Sequence, residues 1–571
     1  MPKLPQLARD QAVAAVATVA FATAMLCVSP GAHAQAKKAA FDAAPCLACH
    51  KPIREFSDAG KHKGVACTSC HGGVDQHLAD RKSRPTTNTD PAACGACHKL
   101  QYDSQFTMNW EKPARWEKSQ AIGPSPNPSW EKLMWPHGFT REHNLARSHQ
   151  HMVLDQFVVD RAFGGRFEAK EGWQYLTRSG NYKVWDVLKD NYPDNTDQKV
   201  FKPGTAAAAN PVCMSCKTQD HILDWAYLGD PAPTAKWSRT SKVVEFVKDV
   251  NHAMNCFFCH DPHSAKPRVV RDALIQALTR PEKDTLWHKD SRAAKIDVQD
   301  LGVRGHTRKI ALLDRYDTKL QCGQCHVEYN CNPGTDPTTG QPIGMADART
   351  NHFPFKNVWD IGKHYTDLKF RDFRHQITGA LLWKGQHPDV ENYYGSKHQR
   401  AGVECHQCHM PKMKDAKTGK TYTSHWQTSP KHYVKETCLQ CHSQWTEKQA
   451  KYVVESLNAR IQGKTRKAEY WLTRMIDKFD EAKSAGVDEA TLNKVREIHY
   501  DAAIHWEWWT ASNGAAFHNP DQTTESLAKS VQLSQEGIKL LEDAMAGKRA
   551  PKPAAGEPAK TSQAPAGARS N

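Results

Sequence analysis

The chain has 571 residues and carries 77 Lys and Arg against 62 Asp and Glu, a formal net charge of +15. Such a length predicts several structural units. Sixteen of the 18 cysteines fall into eight Cys-x-x-Cys pairs, a regularity that excludes the disulfide framework otherwise expected of a cysteine-rich exported chain.

Taken in chain order, the first 34 residues read as an export signal. Lys3 and Arg9 supply positive charge, the mostly apolar run from Ala12 to Val28 follows, and Ala32-His33-Ala34 is a small-residue cleavage site. Cleavage after Ala34 removes Cys27 and leaves an exported, periplasmic protein; no later stretch is long and apolar enough to suggest a membrane span. Residues 35–130 are expected to form an N-terminal module around three motifs: CLACH (Cys46, Cys49, His50), CTSCH (Cys67, Cys70, His71) and CGACH (Cys94, Cys97, His98). Residues 131–445 hold five more and form the expected core. They are CMSCK (Cys213, Cys216, Lys217), CFFCH (Cys256, Cys259, His260), CGQCH (Cys322, Cys325, His326), CHQCH (Cys405, Cys408, His409) and CLQCH (Cys438, Cys441, His442).

Cys-x-x-Cys-His is the attachment sequence of c-type haem. Two thiols at this spacing each form a thioether to one porphyrin, and the adjacent histidine reaches the iron as proximal ligand. Zinc would need paired sets closing four-ligand sites, whereas every regular pair here has its own histidine. Eight covalently bound haems c are expected, and their apolar plates replace much of the side-chain core. Their propionates account for part of the basic surplus, so no nucleic-acid partner is expected. Beyond the seven motif histidines and His33, 22 of the 30 histidines remain, enough to cap the far face of every histidine-ligated iron. A haem capped on both faces passes electrons and binds no substrate. Chemistry therefore belongs at the exception, Lys217: a deprotonated amine ligates iron, which burial and the iron charge favour, and the opposite face is left open.

After CLQCH the texture changes. From Thr446 to about Ala485 the apolar positions Val453, Leu457, Ile461, Leu472, Met475, Ile476 and Phe479 recur at helical intervals, and Gly486 ends the run. A second helix is expected over 488–512, with His499, Trp506, Trp508 and Trp509, and a third over 522–545. Residues 446–546 read as a long-helix region that packs on the core and offers an oligomer surface, and the Pro/Ala-rich tail 547–571 as disordered. The expected fold class is a mainly α multihaem cytochrome c with a loop-rich, haem-packed core and long C-terminal helices.

CMSCK followed by CFFCH, CGQCHVEYNC, KGQHPD and CHQCHMP resembles the ammonia-forming cytochrome c nitrite reductases, and eight motifs with three before the core resemble their octahaem branch. The resemblance covers nearly all of the mature chain. It implies that Lys217 is the proximal ligand of the catalytic haem, with Tyr329 and His387 on the distal side. The third distal residue is Arg161 in VVDRAFGGR, with Arg166 and Arg147 as alternatives. Nitrite would be held by a cationic Arg161 and His387, while Tyr329 and His387 deliver protons. A calcium ion would take side-chain oxygens of Glu328 and Gln386 and the carbonyls of Tyr329 and Lys384. Cys331, two residues after Tyr329, would form a Tyr-Cys thioether as in some octahaem relatives, or remain a buried thiol; peptide mass mapping separates the two. The resemblance also places distal histidines at His398, His425 and His518, with His149 the fourth and His143 and His151 its alternatives. For the three N-terminal haems the candidates are His62, His77, His143, His221 and His252.

The function implied is six-electron reduction of nitrite to ammonium, with hydroxylamine and sulfite as further substrates. Electrons would come from a donor cytochrome or quinol-linked protein, and the protein would be a homo-oligomer. A non-catalytic electron conduit, a hydroxylamine-oxidising enzyme and a tetrathionate-reducing enzyme remain the alternatives at this stage.

Overall fold

The computed structural model describes residues 42–112 apart from 52, 55–57 and 59, the short stretches 132–134, 148–153, 159–161 and 167–169, and residues 210–549. The signal segment, His143, Arg147, Arg166 and the expected tail beyond 549 lie outside the described residues.

The Cys-x-x-Cys motifs fold as short helical turns, and their hydrogen bonds show what the spacing achieves. The N–H of His50 donates to the carbonyl of Cys46, and the same bond joins His98 to Cys94, His260 to Cys256, His326 to Cys322 and His442 to Cys438, all at 2.9–3.1 Å. First cysteine and histidine thus share one face of a turn. The backbone then leaves the helix at the histidine, with φ/ψ of −92°/55° at His50 and −97°/55° at His442. The lysine motif is wound more tightly. Pro211 opens its helix, the Asn210 side chain caps it by accepting from Cys213 N–H at 3.0 Å, and Lys217 N–H donates to Met214 at 2.8 Å, three residues back.

The centre of the chain is organised by a small antiparallel sheet of β1 (Arg268–Val269), β2 (Ile296–Asp300) and β3 (Lys309–Leu313), with β3 in the middle. Helix α1 (Asp272–Thr279) follows β1, and its Ala273, Leu274 and Ile275 are fully buried. The same apolar cluster takes in Val212, Met214, Leu320, Val327, Tyr329 and Phe353. The lysine motif and the segment after CGQCH are therefore anchored in one core.

Three long helices close the fold: α2 (Glu447–Ser484), α3 (Glu489–Ala511) and α4 (Pro520–Arg549). Thr446 and Gln449 form a reciprocal capping box at the start of α2. At its end Gly486 adopts φ +74°, Gly486 N–H bonds Lys483 and Val487 N–H bonds Ala482. That is the Schellman arrangement, which requires the left-handed conformation glycine tolerates. Leu472, Met475, Ile476 and Phe479 are buried at the spacing their periodicity predicts. Helix α4 starts two residues earlier than expected because Pro520 suits a first helical position, where its missing N–H is no loss. Trp506, Trp508 and Trp509 are core residues, whereas the exposed aromatics of this region are Tyr452 and Tyr470 on α2. Among the described residues no helix is long and apolar enough to cross a membrane.

Helix α3 also braces a loop of the core. Glu507 accepts the N–H of Gly385 at 2.9 Å, Trp508 stacks on Trp383 at 5.9 Å, and the Trp508 indole donates to Asn392. Gly385 has to be glycine, since a Cβ there would sit 2.8 Å from the Trp383 ring and 3.1 Å from Ala511.

A second brace is polar. The Thr378 hydroxyl lies 3.2 Å from His375 Nδ1 and 3.0 Å from His499 Nδ1, and His375 Nε2 donates to the Lys132 carbonyl at 2.7 Å. Both imidazoles are buried, which lowers their pKa values, that of His375 to about 4. A histidine whose folded-state pKa is depressed binds fewer protons than the unfolded chain. Stability is therefore full above the unfolded pKa near 6.5 and is lost as pH falls from there towards 4, by about 3 kcal/mol for His375 alone. Thermal melts of the holoprotein between pH 7 and pH 4 are expected to show this loss, and His375→Gln is expected to flatten it.

Candidate active site and the paired histidines

The clearest feature of the described structure is a set of facing imidazoles. Each of the seven motif histidines has one partner: His50 with His77 (ring centres 6.2 Å apart), His98 with His62 (6.1 Å), His71 with His263 (6.3 Å), His260 with His425 (6.5 Å), His326 with His149 (6.0 Å), His409 with His518 (6.3 Å) and His442 with His398 (6.4 Å). Two imidazoles binding one iron from opposite faces each place a nitrogen about 2 Å from the metal with the ring centre about 1 Å further back, so their centres stand about 6 Å apart. All seven pairs have this spacing.

The outer nitrogens agree with it. Nδ1 of His77 lies 2.7 Å from the Ser83 carbonyl, that of His62 2.9 Å from Pro262, that of His425 2.9 Å from Thr423 and that of His409 3.0 Å from Thr428. A carbonyl only accepts, so Nδ1 carries the proton and Nε2 keeps its lone pair. Histidines that ligate metals are oriented in this way.

The eighth motif has no histidine of its own. Cys213 and Cys216 are buried, and Asn210 ties their turn to the segment after CGQCH by donating to the Cys331 carbonyl at 2.6 Å. On that segment Tyr329 is 4 % exposed, and its ring centre is 6.3 Å from that of His387. His387 is half-buried, and its Nδ1 atom, shielded from solvent, has no hydrogen-bond partner. Burial above all, with the Lys384 ammonium adding to it, holds the His387 imidazole well below its ordinary pKa. The direction of that shift makes His387 a neutral hydrogen-bond donor, where the resemblance implied a cation. Burial likewise keeps the Tyr329 phenol protonated. Arg161 belongs to a two-strand hairpin, Val159–Arg161 against Phe167–Ala169; its side chain lies outside what is described.

Glu328 joins the two segments that carry Tyr329 and His387. It accepts from the Tyr365 hydroxyl and the Trp383 indole, both at 3.0 Å, and from Gln386 N–H at 2.8 Å. Its own N–H donates to Glu391 at 3.0 Å, and Val390 N–H bonds the His326 carbonyl at 3.0 Å. Asp389 accepts from His326 Nδ1 at 3.1 Å and is itself held by Ser512 at 2.7 Å and Asn513 at 2.7 and 3.0 Å.

Residues 90–569 match the family model described as cytochrome c552. The chain belongs to the cytochrome c552 family. Similar to it are the cytochrome c nitrite reductase subunit NrfA of Nitratidesulfovibrio vulgaris, 28% identical over 390 residues, and cytochrome c-552 of Haemophilus influenzae strain Rd, 26% identical over 448 residues. The first match covers 64% of this chain and 65% of the relative, just under two thirds of its length; the second covers 75% and 69%. Among solved structures, the catalytic subunit NrfA of the cytochrome c nitrite reductase from Desulfovibrio desulfuricans ATCC 27774, described with two calcium sites, superposes with a TM-score of 0.54. That likeness, at 21% identity over 81% of this chain and 87% of the other, speaks for the fold. The mainly α, loop-rich multihaem fold is that of the cytochrome c552 family.

In this chain the motifs are also neighbours. Thiols approach one another between Cys46 and Cys67, Cys70 and Cys94, Cys94 and Cys256, Cys259 and Cys322, Cys322 and Cys405, Cys325 and Cys216, and Cys408 and Cys438. The attachment segments thus form one continuous series with a branch at CGQCH.

At the expected cation site Glu328 already spends its carboxylate oxygens on Tyr365, Trp383 and Gln386 N–H, and among the described residues no three His, Cys, Asp or Glu side chains gather as a metal site. The Glu391 Oε2 atom is buried without a partner, and Gln386 Oε1 accepts from the Lys384 ammonium at 2.8 Å. This donor set fits Ca²⁺, which would compete with that ammonium. Cys331 is 3.5 Å from the thiol of Cys213, so its sulfur is turned towards the lysine motif.

Two expected distal candidates are not brought to a motif histidine. His221 packs against Trp225 and Phe246, at 5.4 and 5.0 Å, because its neighbours form an apolar wall; His252 bonds Asp220 at 3.3 Å. His151, an alternative to His149, packs on Trp110 at 4.1 Å. The partner of His71 is instead His263, in the turn directly after CFFCH. That turn is shaped by Asp261, which accepts the N–H groups of His263 and Ser264 at 3.0 and 2.7 Å, and Gly60 packs against Ser264 so closely that a Cβ would lie 2.4 Å from it. One loop therefore docks the N-terminal segment, supplies His263 and orients His62 through Pro262.

Proposed function

We propose that this cytochrome c552 is an exported, periplasmic octahaem enzyme that reduces nitrite to ammonium at a haem ligated by Lys217, with hydroxylamine and sulfite as further substrates. The supporting observation is an asymmetry: seven motif histidines face a second imidazole at iron-spanning distance, while near the lysine motif stand Tyr329 and His387, whose Nδ1 has no hydrogen-bond partner. The haem at Lys217, when bound, supplies an iron with one open coordination position and a path for electrons. The overall change is NO₂⁻ + 8 H⁺ + 6 e⁻ → NH₄⁺ + 2 H₂O.

The chain's own groups do the rest. His387 offers a buried N–H to an oxygen of the anion, and Tyr329 offers its phenolic proton as an N–O bond breaks. Arg161 supplies the cationic charge that a neutral His387 does not. Glu328 and Asp389 hold the distal segment and His326 in place, and Glu328 and Gln386 would be the side chains to hold a calcium ion that would stiffen the same join. Electrons reach CMSCK through CGQCH, the branch point of the motif series, from a donor cytochrome or quinol-linked protein. The protein assembles as a homo-oligomer through its long-helix region.

The test is steady-state turnover of nitrite with a reduced dye donor, with ammonium as measured product, alongside an electron-spin-resonance spectrum of the oxidised protein. One high-spin haem among low-spin ones and stoichiometric ammonium are expected, with lower turnover after dialysis against a calcium chelator. Eight low-spin haems and no turnover would leave an electron conduit.

A further inference from the structure

A small cavity of mixed polar and apolar lining lies beside the lysine motif, and its polar wall holds Ser215, Gln219, His221, Arg271, Arg308 and the carboxylate of Asp272. None of the residues assigned to nitrite reduction lines it. Its free polar groups are mostly donors. Arg308 is 2 % exposed and donates to the Val270 carbonyl at 3.1 Å. The acid beside it, Asp272, is already bound to Arg271 at 2.6 Å and to the Trp225 indole at 2.9 Å. Arg308 forms no ion pair among the described residues, and burial lowers its pKa to about 10. Three further nitrogens, Nε of Arg271, Nε2 of Gln219 and Nδ1 of His221, are buried without a hydrogen-bond partner on residues that are 3 %, 2 % and 6 % exposed.

A buried guanidinium without a counter-charge is among the costliest arrangements a protein can hold, and unpaired buried donors add to the cost. Both are relieved by one ligand class, a planar anion with two or more acceptor oxygens. We propose that this cavity is a buried anion site for a carboxylate or small oxyanion, held by Arg308 and Arg271 and completed by Gln219 and His221. Two sources share that chemistry. One is a propionate of a covalently attached porphyrin, which rests on the haem loading proposed above; the other is a free inorganic oxyanion. The propionate is favoured, because the cavity touches Ser215 between Cys213 and Cys216 and Phe258 between Cys256 and Cys259, so two attachment segments border it. The site then sets the potential of the haem whose carboxylate it neutralises, since a fixed cation favours the reduced, more negative form.

The experiment begins with haem content of the wild-type holoprotein; fewer than eight haems would refute the loading reading and leave the free-anion arm to test. Redox titration of the haems in wild type, Arg308→Gln and Arg308→Lys follows, with and without added sulfate. In Arg308→Gln, one haem potential is expected to shift down while the other seven stay, and Arg308→Lys is expected to lie between. A shift independent of sulfate identifies the propionate. A saturable response to sulfate in wild type that vanishes in Arg308→Gln identifies the free anion. Unmoved potentials in both variants, with no response to sulfate, would overturn the site; should Arg308→Gln fail to accumulate, Gln219→Ala carries the same readout.

Discussion

Lys217→Ala is expected to lower nitrite turnover by about 100-fold or more, the scale on which losing an electrostatic or ligating group at a reaction centre is felt, while the protein keeps all eight haems. The thioethers depend on Cys213 and Cys216, whose turn is capped by Asn210 and opened by Pro211, and none of those contacts uses the Lys217 side chain. The seven imidazole pairs are likewise formed without it. Haem content and the low-spin spectrum should therefore match wild type, and the loss should appear in the high-spin signal and in kcat. Full turnover with eight haems present would remove Lys217 from the reaction. Lys217→His is the informative companion: it restores the regular motif, and an active variant would show that the amine tunes the site instead of enabling it.

Replacing His387 by leucine is expected to reduce kcat by about 10²–10³, the usual cost of one preorganised donor at a developing negative charge. The pKa of His387 is held down, and its Nδ1 is buried and unspent among the described residues. Its position depends on Glu328 binding Gln386 N–H and on Glu507 binding Gly385 N–H, both of which leave the His387 ring uninvolved. The leucine variant should thus retain its melting temperature to within a few degrees. Because the imidazole is neutral across the physiological range, wild-type kcat should show no loss centred on the ordinary histidine pKa near 6.5. A kcat that falls through pH 6.5 in wild type, and not in the leucine variant, would return His387 to the cationic role.

The local features were legible because local chemistry specifies them. A Cys-x-x-Cys-His run needs only one helical turn to place thiol and imidazole on a common face, and five motifs make that bond between first cysteine and histidine in the structure. The stop at Gly486 was legible for the same reason, since only glycine takes φ +74° without strain. Six of the nine distal candidates face a motif histidine. Two gaps are equally instructive. Asp389 sits in the quoted KGQHPD run, yet nothing in that run indicates that it will bind His326, 63 residues away. His263 follows CFFCH closely enough to look like part of its own motif's surroundings.

Spacing and composition alone thus determined the eight Cys-x-x-Cys pairs and the three closing helices, while the haem count, the lysine ligand and the export signal are expectations from the same source. Each depends on residues within a few positions of one another, where backbone geometry leaves little choice. Which imidazole faces which, that His221 and His252 stand aside, that the tryptophans of α3 are interior, and that one buried arginine, Arg308, is left without an ion pair among the described residues were settled by packing. Those outcomes join segments up to hundreds of residues apart, and the free energy that selects them is the burial of whole surfaces, which no short stretch of chain contains.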